Sequence, residues 1–228
     1  MPMKTSAIER RGRLRGLYAI TPEIDDAAVL RALVSSAIDG GARLVQYRAK
    51  GLSSRERLHQ AETLLALCRA RDVPLILNDD LELALAVGAD GVHLGRDDGD
   101  PREARERFPG GILGVSCYDD VGRAVAAAEA GADYAGIGSV FSSATKPQAV
   151  RAGLATLVQA RRRARIPVAA IGGITSGNAA EAVAAGADML AVISALFGAP
   201  DVAAAARALS QPFETDAHTH VRTQPAAL

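Results

Sequence analysis

Eight short apolar runs, each followed by a longer segment whose apolar residues recur at helical spacing, punctuate this chain. The runs are Leu17–Ile20, Leu44–Arg48, Leu75–Asn78, Gly91–Gly95, Ile112–Ser116, Tyr134–Val140, Val168–Ile174 and Met189–Ser194. Strands alternating with helices build βα units on a parallel sheet. Eight such units predict a closed (β/α)8 TIM barrel, because an open sheet has no reason to stop at eight. Gly41-Ala42, Gly88-Ala89-Asp90, Gly131-Ala132-Asp133 and Gly186-Ala187-Asp188 each end an Ala-rich segment just before a run. Glycine there closes a helix in a left-handed conformation. The uneven spacing of these motifs argues against a solenoid. The absence of G-x-G-x-x-G after the first run argues against a dinucleotide-binding sheet.

A chain of 228 residues, 49% hydrophobic, suits one such barrel. Lys plus Arg number 26 and Asp plus Glu 26, so no global field favours nucleic acid or a membrane surface. Any anion is expected in a local site. Cys68 and Cys117 are far apart and show no C-x-x-C spacing, which suits a reducing cytoplasm and packed thiols. No run is long enough to span a bilayer. Residues 1–15 are basic without a following apolar stretch, and residues 211–228 are polar without periodicity. Both ends are expected to be flexible, leaving residues 16–210 as the catalytic barrel. A homo-oligomer is compatible with this sequence.

Charged residues in a barrel covered on both faces belong at the carboxyl ends of its strands, where active sites are built. Gln46, Arg48 and Lys50 alternate at the second strand and share a face, a row suited to gripping an anion. Asn78-Asp79-Asp80 ends the third, and one of its carboxylates caps the helix from Leu81. Asp100 is the natural cap before Pro101, which leaves Asp98 for another task. Asp79 and Asp98 make an oxygen pair suited to Mg²⁺, and fit ordinary loop acids equally well. His93 reads as a satisfied core histidine. Ser116 lacks a partner set for nucleophilic attack and fits a hydroxyl donor to phosphate. Ser142, Ser143, Thr145 and Lys146 offer hydroxyls and an ammonium after the sixth strand, as a solvated loop also would. Gly172-Gly173 lie at the seventh strand and Ile193-Ser194 at the eighth, and the loops after these two strands often present N–H groups to a phosphate.

In order along the chain, Gln46-Tyr47-Arg48-Ala49-Lys50, Asn78-Asp79-Asp80, Gly91-Val92-His93-Leu94-Gly95, Gly114-Val115-Ser116, Thr145-Lys146, Ala170-Ile171-Gly172-Gly173-Ile174 and Val192-Ile193-Ser194 resemble the thiamine phosphate synthase family. The resemblance spans about Leu17 to Phe197. It implies a transferase of thiamine biosynthesis that joins a pyrimidine diphosphate to a thiazole phosphate, carboxylated or not, and releases pyrophosphate. Carried over by position, Gln46, Arg48, Lys50, Asn78, Ser116 and Lys146 would hold the pyrimidine diphosphate. Asp79 and Asp98 would bind Mg²⁺. Ser143, Ala144 and Thr145 would meet the thiazole, with Gly173, Ile193 and Ser194 receiving its phosphate. Catalysis would rest on Arg48, Lys50 and Lys146.

The chain departs from the family pattern at Ser142, where members often carry Pro, at Ser143, often Thr, and at Arg96, often Gln. Two other functions compete. A thiazole tautomerase of the same superfamily is expected to carry His two positions after the fifth-strand Ser, and this chain has Tyr118. A non-catalytic phosphate-ligand sensor would keep the glycines and lose the Mg²⁺ carboxylates, and this chain keeps both sets.

Overall fold

The computed structural model describes residues 11–12, 14–142 and 151–220, the last six of these by backbone alone. Eight strands close in sequence order into one barrel. They are β1 (Gly16–Ile20), β2 (Ala42–Tyr47), β3 (Leu75–Asn78), β4 (Gly91–Leu94), β5 (Ile112–Tyr118), β6 (Tyr134–Gly138), β7 (Val168–Ile171) and β8 (Met189–Val192). The parallel pairing of β1 with β8, from Gly16 opposite Met189 to Ala19 opposite Val192, shuts the ring. Around it run α1 (Ala27–Asp39), α2 (Ser54–Ala70), α3 (Leu81–Val87), α4 (Pro101–Arg107), α5 (Val121–Glu129), α6 (Gly153–Ala164), α7 (Ala179–Ala184), α8 (Ser194–Phe197) and α9 (Val202–His220). Every apolar run forms a strand, as its spacing predicts.

Helices α1 to α5 start where side chains take up their free N–H groups. Asp26 caps α1, Ser53 and Glu56 form a reciprocal capping box on α2, and Asp80, Asp100 and Asp120 cap α3, α4 and α5. Pro101 occupies the first turn of α4, where its missing N–H costs nothing.

Strand parity sorts the core into two regions. Leu17, Val45, Leu77, Val92, Val115, Ile137, Val168 and Leu190 face outward and pack with helix residues such as Leu30, Leu64 and Leu157. Tyr18, Leu44, Ile76, Ile112, Tyr134, Ala169 and Met189 fill the barrel interior. Inward glycines make room for the interior rings. A Cβ on Gly114 would lie 2.1 Å from Cζ of Tyr134, and one on Gly136 would lie 3.4 Å from His93 Cε1.

The repeated Gly-Ala-Asp motif has a function at the base of the barrel that its spacing did not disclose. Gly88, Gly131 and Gly186 take positive φ of 67°, 89° and 97°, so each chain leaves its helix with no Cβ to clash. The Asp that follows then bonds twice to the strand before it. Asp90 accepts from Leu75 N–H at 2.9 Å and donates its own N–H to Leu75 O at 3.1 Å. Asp133 does the same with Leu113, and Asp188 with Val168. Three of the eight neighbouring strand pairs, β3–β4, β5–β6 and β7–β8, are thus stitched at their amino ends. Asp133 is also paired with Arg105 at 2.6 Å, and that guanidinium reaches the carbonyls of Phe108, Gly111 and Gly131.

The barrel reaches beyond the expected limits of 16 and 210. Leu14 is 1% exposed and plugs the barrel floor beneath Tyr18, within the segment expected to be flexible. The closing helix α9 runs through the segment expected to be a tail, and Phe213 is 8% exposed. The reason is packing at the seam: α9 lies so close over the end of α1 that a Cβ on Gly40 would meet Ala203 O at 2.4 Å. Among the described residues, no helix is long and apolar enough to cross a membrane.

The Arg105–Asp133 pair is testable. Arg105→Ala leaves a carboxylate that is 1% exposed without its guanidinium. It is expected to lower the unfolding free energy by about 3 kcal/mol in urea titration; a loss below about 1 kcal/mol shows that Asp133 does not depend on the Arg105 guanidinium.

Candidate active site

The carboxyl ends of the strands bring most of the sequence-predicted residues to one mouth. Parity along β2 turns Gln46 inward with Leu44, and Arg48 follows just past the strand end. Arg48 is set by its backbone: its N–H donates to Thr21 Oγ1 at 2.9 Å, and the Thr21 hydroxyl reaches Arg48 O. Its guanidinium meets Glu23 at 2.9 Å. Lys50 lies further out and pairs with Asp79 Oδ2 at 3.2 Å. Both cations of the proposed anion grip are therefore present at the mouth, each against a carboxylate.

Gln46 does not share their surroundings. It is 3% exposed, and its Nε2 donates to Tyr18 Oη at 2.7 Å, below the mouth. Asn78, the last residue of β3, lies half-buried.

The two acids left over from helix capping come together. Asp80 is occupied, accepting from Leu83 N–H and pairing with Arg57 at 3.0 Å, and Asp100 is occupied by Arg102 N–H. Asp79 takes a left-handed φ of 63°, unusual for a residue with a Cβ, at the turn out of β3. Asp98 folds back to accept from Gly95 N–H at 2.9 Å. The absence of a Cβ on Gly95 leaves room for both acids: such an atom would lie 2.4 Å from Asp98 Oδ2 and 3.7 Å from Asp79 Oδ1. Desolvation, and then the hydrogen-bonding and repulsion of Asp79, push the Asp98 carboxyl above its ordinary value. Two carboxylates forced together favour either a shared proton or a cation. Among the described residues no third acid, His or Cys joins them. That set fits Mg²⁺, which keeps waters and takes other oxygens from a phosphate, better than a metal that needs a full protein cage.

Ser116 is reached through a bulge. The pairing of β5 with β6 skips Cys117, so Ser116 faces Gly136 while Tyr118 faces Ile137. Bulges beside active sites redirect side chains, and this one leaves Ser116 half-buried at the mouth. Arg123 holds the strand end, its Nε donating to Ser116 O at 2.7 Å and its Nη2 to Gly95 O at 3.3 Å. Cys117 is buried on the other face, and burial pushes its thiol up to about 12, as it does that of Cys68. Neither is a nucleophile at neutral pH.

Gly173, Ile193 and Ser194 lie side by side past β7 and β8. Gly173 has a φ of 67°, and a Cβ there would strike Ser142 O at 2.3 Å. The loop after β6 therefore packs onto this glycine, with Phe141 N–H bonded to Gly172 O. Close approach of backbone to backbone explains the glycine here whether or not a phosphate binds. Ser143, Ala144, Thr145 and Lys146 lie outside the described residues.

Sequence reasoning missed four groups that the structure brings to the site. Glu23 and Thr21 sit just past β1 and set Arg48. Tyr18 and Tyr134 reach each other across the barrel at 2.7 Å, and His93 bonds Tyr134 Oη at 2.9 Å and Ser116 Oγ at 2.8 Å. His93 is indeed a satisfied buried histidine, and burial pushes it down to about 4, so it stays neutral. Its link to Ser116 was invisible in the sequence. The parity of Tyr18 and Tyr134 along their strands was the one signal available for the tyrosines.

Comparison with known proteins agrees with this geometry. A family model described as thiamine monophosphate synthase matches residues 17–196. Thiamine-phosphate synthase of Aromatoleum aromaticum is 55% identical over 203 residues, 89% of this chain and 98% of that protein. Thiamine-phosphate synthase of Thiobacillus denitrificans is 52% identical over 202 residues, 88% of this chain and 96% of that protein. The structure of thiamine phosphate pyrophosphorylase from Pyrococcus furiosus superposes with a TM-score of 0.81 at 39% identity, covering 90% of this chain and 98% of that one. With the barrel, the paired acids and these relatives together, this chain belongs to the thiamine monophosphate synthase family of enzymes.

Proposed function

We propose that this enzyme joins a hydroxymethylpyrimidine diphosphate to hydroxyethylthiazole phosphate, or to its carboxylated form with loss of carbon dioxide and uptake of a proton, to give thiamine phosphate and pyrophosphate. The observation that carries this reading is the convergence of Asp79 and Asp98 beside Lys50, with Arg48 at the same mouth. Paired acids next to paired bases suit a magnesium diphosphate, and a barrel that held only a monophosphate would not need them.

The chemistry divides into leaving and joining. The bond from the pyrimidine methylene carbon to the bridging oxygen breaks first, and its electron pair leaves with pyrophosphate. The thiazole nitrogen then uses its lone pair to form the C–N bond. No proton is removed in either of these two steps, so the joining itself calls for no general base. The barrier is set by charge building on the departing oxygens. Arg48 and Lys50 would neutralise it by leaving Glu23 and Asp79 for phosphate oxygens, and Lys146 adds a third cation in this reading. Asp79 and Asp98 would hold Mg²⁺, which supplies further positive charge to the leaving group.

The remaining residues position the two substrates. Asn78 and Ser116 serve the pyrimidine diphosphate from β3 and β5, while Gln46, expected beside them, supports Tyr18 from below the mouth. Gly173, Ile193 and Ser194 receive the thiazole phosphate at adjacent strand ends, and Ser143, Ala144 and Thr145 meet the ring. Holding the acceptor nitrogen near the methylene carbon favours its attack over that of water. Tyr118 occupies the place where a tautomerase of the superfamily would carry a histidine. It lies under the Arg96 guanidinium at 4.8 Å and supplies no imidazole.

The purified chain, given both substrates and Mg²⁺, is expected to release pyrophosphate and form thiamine phosphate; no product under those conditions refutes the assignment. Asp79→Ala is expected to abolish Mg²⁺-dependent turnover while the thermal transition of the barrel is kept, and a variant with normal kinetics takes Asp79 out of the metal site. Glu23→Gln frees Arg48 from its competing carboxylate. Because an exposed pair is worth up to about 1 kcal/mol, pyrophosphate should bind up to roughly fivefold more tightly by calorimetry, and an unchanged Kd shows that Glu23 does not compete.

A further inference from the structure

A line of hydrogen bonds crosses the barrel interior and ends at the mouth. Gln46 Nε2 donates to Tyr18 Oη at 2.7 Å, Tyr18 Oη meets Tyr134 Oη at 2.7 Å, Tyr134 Oη meets His93 Nδ1 at 2.9 Å, and His93 Nε2 meets Ser116 Oγ at 2.8 Å. The four inner residues are buried. Their rings are locked by contact: Tyr18 and Tyr134 pack edge to face, His93 stacks on Tyr134, and the missing side chain of Gly114 supplies the space for the Tyr134 ring. Four polar groups in an interior that is otherwise Leu, Ile, Ala and Met call for a reason beyond packing, because buried polar groups cost stability unless every partner is supplied.

The proton order along this line follows from its inner end. An amide nitrogen only donates, so Tyr18 Oη accepts from Gln46. Among the described residues the Tyr18 hydroxyl proton then has one buried acceptor, Tyr134 Oη, and leaving it unpaired would carry the cost of a buried orphan donor. Tyr134 in turn donates to His93 Nδ1. His93 therefore carries its proton on Nε2 and donates to Ser116 Oγ. With that lone pair engaged, the Ser116 hydroxyl proton is free to point out of the barrel.

We propose that the buried line Gln46–Tyr18–Tyr134–His93 fixes this proton order so that Ser116 presents its hydroxyl as a donor to the anion at the mouth. Tyr134 and His93 are then positioning residues that act through Ser116. The reversed order would turn the Ser116 proton inward to His93 and leave a lone pair facing the phosphate oxygens, a repulsive arrangement. The bulge at Cys117 and the grip of Arg123 on Ser116 O hold the serine where the line can reach it. This inference rests on the reading of Ser116 as a ligand of the pyrimidine diphosphate.

Two measurements test it, one of which does not depend on turnover. Heteronuclear NMR of imidazole-labelled protein, with the His93 signal assigned by its loss in His93→Gln, is expected to show Nε2 protonated and Nδ1 bare; the opposite tautomer overturns the proposal. The second is a double-mutant cycle on kcat/KM for the pyrimidine diphosphate. Tyr134→Phe should lower it about tenfold in the natural chain and leave it nearly unchanged in a Ser116→Ala background. Equal losses in both backgrounds assign Tyr134 a merely structural role and overturn the proposal. If Tyr134→Phe fails to fold, as thermal melting would show, His93→Gln takes its place in the cycle with the same two outcomes. An inactive natural chain refutes the synthase reading, and the tautomer still decides the proton order.

Discussion

Closure of β8 onto β1 is the constraint from which the rest of this structure follows. Once the parallel ladder runs round the ring, no strand has an edge and none has a face open to water. Inward residues must fill the barrel, outward residues must pack under helices, and polar groups are confined to the two ends or to fully bonded interior networks. The base carries the clamps: Asp90, Asp133 and Asp188, each bonded twice to the preceding strand. The mouth carries the chemistry. Strength at one end leaves the loops at the other free to hold ligands rather than the fold.

The mouth is organised as a set of charges that satisfy one another until something better arrives. Arg48 rests on Glu23 and Lys50 on Asp79, while Asp79 and Asp98 repel. In the proposed reading a magnesium diphosphate would relieve all three conditions together, its oxygens taking the cations and its metal the acids. Arg57 and Arg107 hold Asp80 and Glu82 aside on the flank, so the two acids at the centre are the ones without a helix to cap. Selection of that ligand would then be a matter of exchange between partners already in place.

Much of this was legible along the chain. The strands were visible because apolar runs of that length between helical segments have few other uses. Asp98 was singled out because Asp100 stands where a helix needs its cap, whereas the sequence left open which acid after the third strand caps the next helix, and the structure gives that task to Asp80. Gln46 shows the limit. Its alternation with Arg48 and Lys50 is real, yet a residue one turn of the pleat lower falls below the rim and bonds to a tyrosine. The ends of the domain were misjudged for a similar reason. Leu14 and Phe213 are single apolar residues in polar company, and only the floor of a closed barrel and the seam under α9 show what buries them.

The sequence by itself determined the number and order of the βα units, the helix caps and the inventory of charges at the strand ends, because these depend on local periodicity and on residue type. Only the tertiary structure decided which distant groups meet: Glu23 with Arg48, Asp79 with Asp98, and Tyr18 with Tyr134 across the barrel. Residues 18 and 134 become neighbours because closure brings β1 and β6 to face each other over an interior that Gly114 leaves open. That juxtaposition depends on the curvature of the whole ring, which no local pattern encodes.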